Sequence, residues 1–498
     1  MLFRSLAVLL SGKRLSFFLS GFLVLFRHSL AVVNLFREAL RQSEGNILSA
    51  VKIIFDQREW FGNSPYDEWG LWSVNVYANQ RHLLFGISLI LIVIFLMLPF
   101  VKKMMVALKR KKDIQSKLQF LFLSRDAWLP TKKDLLYPWQ LLLLASLLVV
   151  VMPFFHGSAL IALLLILFVM AIFSKARVLF LAVAGLAVLS ASLQSTFFSG
   201  SPDRVLTFSL LPGFLAEELS VSGIISYLSR CFGFLVSFYL LFLLLVKGGF
   251  RRILLAAVAA PAIFAFLFQV SREMIANHKF IQIGIILFCA FLAGGISFLL
   301  SPFSKKTLQE KTDYDPEKED PNSSLPISRR TLLIISRTLA VLFLIVLTLN
   351  GIVEWSVYKN MNEHPIAADA SSEMTVWIEK NTTPKSVFLT APFSYHTFFL
   401  SGRFCYYGHP YYAWSAGSDT DGRLINYQAL LTGCDGDEEA FWALCEEENI
   451  DYILVDDSLR AGDFPVDEDF FQTHLSRMAE FPMQENSVIY KIPRRSIA

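Results

Sequence analysis

Long apolar blocks alternate with short charged connectors along the first two thirds of this chain. Blocks of roughly 16–24 residues fall at about 15–35, 82–100, 138–155, 158–174, 178–192, 223–246, 253–270, 280–300 and 332–354. A helix of about 20 apolar residues crosses a bilayer core. The pattern predicts a polytopic α-helical membrane protein with about nine transmembrane helices in residues 1–354. The first block follows Arg4, Lys13 and Arg14, as in a secretory signal. No small-x-small cleavage site follows it, so we read it as a retained first helix.

After residue 354 the pattern changes. "SSEMTVWIEKNT" has helical spacing with Ser372 as N-cap, and "KSVFLTAP" reads as a strand. "DEEAFWALCEEEN" reads as a helix, "IDYILVDD" as a strand, "DEDFFQTHLSRMAEF" as a third helix and "NSVIYKIP" as a last strand. Alternating helices and strands predict a C-terminal α/β domain over 355–498. It holds no glycine-rich phosphate loop, which argues against nucleotide binding. Between the two parts, 301–331 turns to Lys, Glu, Asp, Pro and Ser, the composition of a flexible linker.

Composition strengthens the membrane reading. The 498 residues are 54% hydrophobic and 17% charged, against about 25% charged in soluble proteins. The net charge of +3 says little by itself. Its distribution orients the chain, because Lys and Arg gather in cytoplasmic loops. "VKKMMVALKRKKDIQSK", "SKAR", "KGGFRR" and 301–331 are the basic connectors and fall inside. The connectors 36–81, 193–222 and 271–279 then fall outside, and the C-terminal domain with them. Cys231 and Cys289 lie in spans; Cys405, Cys434 and Cys445 permit at most one disulfide.

The outer connectors hold the polar chemistry. In 36–81, "NILSAVKIIF" predicts a short surface helix, and Trp60, Trp69, Trp72 and Tyr77 suit an interfacial belt. Asp56, Glu59, Asp67 and Glu68 share that loop; solvated loop acids are the plain alternative. In 193–222, "GFLAEEL" predicts another short helix. The connector 271–279 packs Arg272, Glu273, Asn277, His278 and Lys279 between two apolar blocks. Snorkelling Arg and Lys explain such a cluster, and so does a site for an anionic, hydroxylated ligand. The stretch 392–423 crowds aromatics with His396 and His409 without a regular period, as a packed lid or a sugar-binding surface does. In it "SDTDGR" reads as a turn rather than a cation loop. Pro261 is the clearest break within a span.

Four segments together resemble a family: "NVYANQRHLLFGISLIL", "REMIANHKFIQIG", "WIEKNTTPKSVFLT" and "SGRFCYYGHPYYAWSAGSDTDGR". The set is similar to bacterial polytopic glycosyltransferases of the GT-C superfamily. The resemblance implies a GT-C-like bundle in the bacterial cytoplasmic membrane. It implies transfer of a sugar from a polyprenyl-phosphate donor to a glycan, lipid or protein acceptor on the outer face, with no nucleic acid involved. In that family a loop acid acts as base or metal ligand, so a divalent cation is compatible and no other cofactor is implied. Asp56 is the expected base, with Asp67 and Glu68 as rivals, because an acceptor hydroxyl needs a carboxylate in reach. Arg272, Asn277 and Lys279, beside Glu273, are expected at the donor phosphate, with His278 carrying a proton. Arg403 and His409 are expected to touch the acceptor.

The chain departs from the family in one respect. Only one block precedes "NQRH", and no early paired-acid motif occurs. The loop acids serve, or an N-terminal part is missing, or the chain is inactive. A transporter or flippase for lipid-linked glycans, or an assembly subunit, is the competing reading.

Overall fold

The structure, a computed structural model, describes residues 2–26, 29–59, 61, 76, 81–131, 139–198, 208–271, 273–301, 329–361, 369–393, 395–415 and 418–493. Trp60, Asp67, Glu68, Trp69, Trp72, Tyr77, Arg272 and most of the 301–331 linker lie outside the described residues. The chain divides into two compact units.

The first unit is a helical bundle. Its elements are α1 (Leu2–Ser11), α2 (Leu15–Leu25), α3 (Ala31–Gln42), α4 (Ile47–Phe55), α5 (Arg81–Lys109), α6 (Ile114–Leu123) and α7 (Arg125–Trp128). There follow α8 (Trp139–Phe155), α9 (Gly157–Ile172), α10 (Arg177–Phe198), β1 (Ser209–Leu210), α11 (Val221–Phe232) and α12 (Leu235–Leu245). The unit ends with α13 (Gly249–Leu267), β2 (Phe268–Gln269), a 3₁₀ turn Met274–Asn277, α14 (His278–Leu300) and α15 (Arg329–Met361). Among the described residues, five helices are long and apolar enough to cross a membrane: α5, α10, α13, α14 with its leading turn, and α15. They keep Leu181, Ile263, Phe298 and Ile334 more than half exposed, as side chains solvated by lipid do.

Among the described residues, several of the apolar blocks do not form single long helices. The first block breaks: α2 stops at Phe26, which is extended (φ −124°, ψ 115°), and α3 starts five residues on. The polar run Arg27, His28, Ser29 interrupts the block there. The block 223–246 splits into α11 and α12, bent by 94° about Gly233, whose φ of 51° suits glycine. Pro261, the expected break, sits inside a continuous α13. β1 pairs antiparallel with β2, Ser209 opposite Gln269. That ladder holds both ends of the segment 210–268 at one membrane face. α13 is about 28 Å long, enough to cross once. With the bent pair taken as one span, the described residues hold six helices or helix pairs long and apolar enough to cross. The tight run Gly213–Leu219 forms turns rather than the expected helix.

The second unit is a five-stranded mixed sheet with helices. It comprises α16 (Glu373–Asn381), β3 (Val387–Leu389), a 3₁₀ turn Thr397–Ser401, β4 (Phe404–Cys405), α17 (Pro410–Ser415), α18 (Thr420–Leu431) and α19 (Glu438–Glu447). Then come β5 (Tyr452–Val455), α20 (Asp457–Arg460), α21 (Glu468–His474), β6 (Ser476–Phe481) and β7 (Ser487–Lys491). The strand order is β4-β3-β5-β7-β6, with the first three parallel and β7 antiparallel to both its neighbours. Ser372 caps α16 by accepting from the Thr375 N–H. The expected third helix is half helix: it ends at His474, and Ser476–Phe481 becomes an edge strand. "SDTDGR" is not a free turn, since Asp419 accepts from the Gly422 N–H and opens α18. The core packs Phe388, Phe398, Tyr427, Phe441, Phe471 and Tyr490. All five cysteines are free thiols.

Candidate functional site

The polar groups of the first unit gather at one membrane face. α9 begins with its N-cap His156, whose Nδ1 accepts from the Ala159 N–H at 3.3 Å. A neutral ring then carries its proton on Nε2, and that atom is buried without a hydrogen-bond partner. The His82 ring lies 4.7 Å from the His156 ring. Gly86, one turn into α5 from His82, makes this approach possible. A Cβ built there would stand 2.8 Å from Ala159 Cβ on α9. Lys279, half-buried in the first turn of α14, acts electrostatically on His156 together with His82. Lys279 and His82 are thus the titratable neighbours of His156 at this end of the bundle.

His278 and Asn277 flank it. His278 Nδ1 lies 2.7 Å from the Ile275 carbonyl, so Nδ1 donates and the buried Nε2 keeps a lone pair without a partner. Asn277 is fully buried, and its amide N–H2 donates to the Phe268 and Ala265 carbonyls at the end of α13. It thus ties α13 to α14, leaving only its oxygen unpartnered. Glu273 caps the 3₁₀ turn with its backbone and is partly exposed.

Below His278 runs an apolar cleft of about 390 Å³. Leu228 and Phe232 of α11, Val236 and Tyr239 of α12, Ala262 of α13 and Gly284 of α14 line it. The bend between α11 and α12 opens this space. His278 shares one helical stripe with Ile281, Ile285 and Phe288, which all face the cleft. His278 itself stands one turn before Ile281 on that stripe and does not line the cleft.

Asp56 stands elsewhere on the same face. It is the exposed C-cap residue of α4, in the α3–α4 hairpin that packs around Val353 of α15. Asn360 donates to the Phe55 and Gln57 carbonyls and fixes the residue between them. Arg337 donates to the Leu300 carbonyl, so α15 starts where α14 ends. Rising about 35 Å from Arg337, α15 brings Asn360 back to the level where α14 begins. Asp56 and the Lys279 cluster thus share one membrane face.

In the second unit, Arg403 is a clamp. Its guanidinium donates to Thr382 Oγ1 (2.8 Å) and to the carbonyls of Ser401 (2.8 Å), Glu379 (2.8 Å) and Thr382 (2.9 Å), closing the C-terminus of α16. His409 stacks at 4.9 Å on Tyr412, with its Nδ1 buried and unpartnered.

No family model matches the chain, and no curated protein matches it. Among solved structures it overlaps the crystal structure of the Archaeoglobus fulgidus oligosaccharyltransferase in the apo form. That overlap has 13% identity and a TM-score of 0.33, covering 91% of this chain and 57% of that one. The chain thus spans less than two thirds of that protein's length.

Three further candidate groups lie outside the sequence expectations: His82 stands at the start of an apolar block, and His156 stands in the two-residue connector between two others. A polar residue in so short a break between apolar blocks was the available signal. Glu354 lies inside the last apolar block and is 2% exposed, the one buried acid among the described residues of the first unit. An ionisable residue inside a span is a functional candidate by default.

Proposed function

We propose that this protein binds a polyprenyl-phosphate-linked sugar and transfers the sugar to an acceptor on the non-cytoplasmic face of the membrane. The observation that supports the reading is an apolar cleft beside α14, the helix whose first turn carries His278 and Lys279. The isoprenoid tail lies between the broken span and α13–α14. The phosphate meets Lys279, His156 and His82, together with Arg272 and Asn277 of the same connector as Lys279. The His278 lone pair accepts a proton from a donor or acceptor hydroxyl. As the glycosidic bond to phosphate breaks, charge develops on the phosphate oxygens, where fixed N–H donors stabilise it. The base is a carboxylate of the 36–81 loop, Asp56 first, with Asp67 and Glu68 as rivals. Glu354 joins them as a fourth acid. The C-terminal unit, with His409 and its tyrosines, then meets the acceptor on that face.

The broken span favours a second reading, a transporter or flippase, since such breaks recur in transporters. One experiment set separates them. Purified protein in lipid nanodiscs is titrated with a polyprenyl phosphate, and Lys279→Ala is compared with wild type. Loss of one charge-assisted contact of roughly 1.5 kcal/mol weakens binding about tenfold. Sugar transfer is then assayed for Asp56→Asn, Asp67→Asn, Glu68→Gln and Glu354→Gln. Full activity in all four removes the catalytic assignment. Movement of lipid-linked sugar across vesicles without transfer establishes the transporter instead.

A further inference from the structure

The sheet of the second unit contains a crevice of its own. β3 and β5 are parallel neighbours whose chains leave in opposite directions, β3 to β4 and β5 to β7 and β6. Ligands of such sheets bind at the carboxyl ends of the strands where that divergence occurs. Three side chains meet there. Asp456 directly follows β5, His396 lies in the β3–β4 connection, and Glu485 lies in the β6–β7 turn. Val488 pairs with Val455, which brings that turn to the end of β5.

Asp456 is fully buried. Its Oδ1 accepts from the Leu459 N–H at 2.8 Å, opening α20, while Oδ2 makes no hydrogen bond. An ionised carboxylate oxygen rarely stays buried with nothing on it. His396 Nε2 stands 3.7 Å from that oxygen and 3.5 Å from Glu485 Oε2. One ligand atom from each residue lies within 4.8 Å of the others. Phe393 stacks flat on the His396 ring at 3.9 Å, and Glu485 is held at φ 52° with Ser458 donating to its carboxylate. In a tetrahedral site with ligands at about 2.1 Å, ligand atoms stand about 3.4 Å apart. The two spacings from His396 Nε2 need only a slight contraction.

We propose that the C-terminal unit holds one zinc-class divalent cation on His396 Nε2, Asp456 Oδ2 and Glu485 Oε2. The fourth position opens on the half-exposed Glu485 side. One imidazole and two carboxylates suit Zn²⁺ and Mn²⁺ better than Ca²⁺ or Mg²⁺, which take six or more oxygens. His396 now accepts the Phe398 N–H on Nδ1, so its proton sits on Nε2. Binding moves that proton off Nε2 and releases the Phe398 N–H. The cation then fastens the β3–β4 connection, α20 and the β6–β7 turn to each other.

The test uses full-length protein in detergent, stripped with chelator and titrated with Zn²⁺ alone. Bound zinc is counted by mass spectrometry after desalting, and the temperature at which the Cys445 thiol becomes reactive is recorded. Wild type binds one zinc more per chain than Asp456→Asn or His396→Gln, and zinc delays Cys445 labelling only in wild type. Glu485→Gln binds at least tenfold more weakly. Asn at 456 keeps the oxygen that opens α20, and Cys445 protection without zinc confirms folding of each variant. Equal zinc in wild type and both variants, or none in wild type, overturns the site.

Discussion

Arg403 separates a structural from an acceptor-binding role most sharply. Arg403→Met removes four hydrogen bonds of 2.8–2.9 Å from the end of α16. A bond from a charged donor contributes roughly 1.5–3 kcal/mol when buried. Glu379 is exposed and Thr382 half-exposed, so water replaces part of the loss there, whereas the Ser401 carbonyl belongs to a buried residue. The sum is about 3 kcal/mol. For a unit of this size that lowers the midpoint by about 10 °C. Arg403→Lys keeps the charge but loses the fork, and falls about half as far. The assay is thiol labelling on a temperature ramp, read peptide by peptide. Cys405 and Cys445 report the second unit, and Cys231 and Cys289 report the bundle in the same sample. Early exposure of Cys405 and Cys445 alone is expected. Unchanged labelling together with weakened acceptor binding would refute the clamp.

Other expectations follow from the same packing. Burial pushes the Tyr427 hydroxyl well above its usual range and the Cys445 thiol up to about 12. Both stay neutral in the fold while the unfolded chain ionises, so their stabilising effect is complete below about pH 8.5. It falls with rising pH by up to about 1.4 kcal/mol per unit for each group. Chemical denaturation between pH 8 and 11 checks this, and Tyr427→Phe flattens the curve above pH 10. Gly86→Val forces α5 from α9, costs about 1–3 kcal/mol and parts His82 from His156, weakening polyprenyl-phosphate binding without touching the cleft. Asn277→Leu leaves the Phe268 and Ala265 carbonyls unpaired, and bundle unfolding in detergent comes about 2–3 kcal/mol easier.

Much of the fold could be read from spacing. The surface helix at 47–55 follows from "NILSAVKIIF", and the alternating helices and strands of the C-terminal unit follow from their caps and β-branched runs. What spacing hid were events of one or two residues. Gly233 breaks a span that periodicity carries straight through, because a glycine's freedom is invisible to a hydropathy window. Leu475 turns helix into strand because Ser476–Phe481 finds β7 as a partner, a long-range fact. The site was half legible: the polar connector at 271–279 stood out. His156 and His82 gained meaning only when Gly86 let two helices touch.

The two-residue ladder between β1 and β2 has a mechanical consequence. It staples the outer ends of the broken span and α13 together, so the cleft between them is closed on the aqueous side. Any widening pivots about that staple and opens toward the hydrocarbon. On the proposed function, a long-tailed guest would slide in sideways from the surrounding leaflet and bring its headgroup up to Lys279 last.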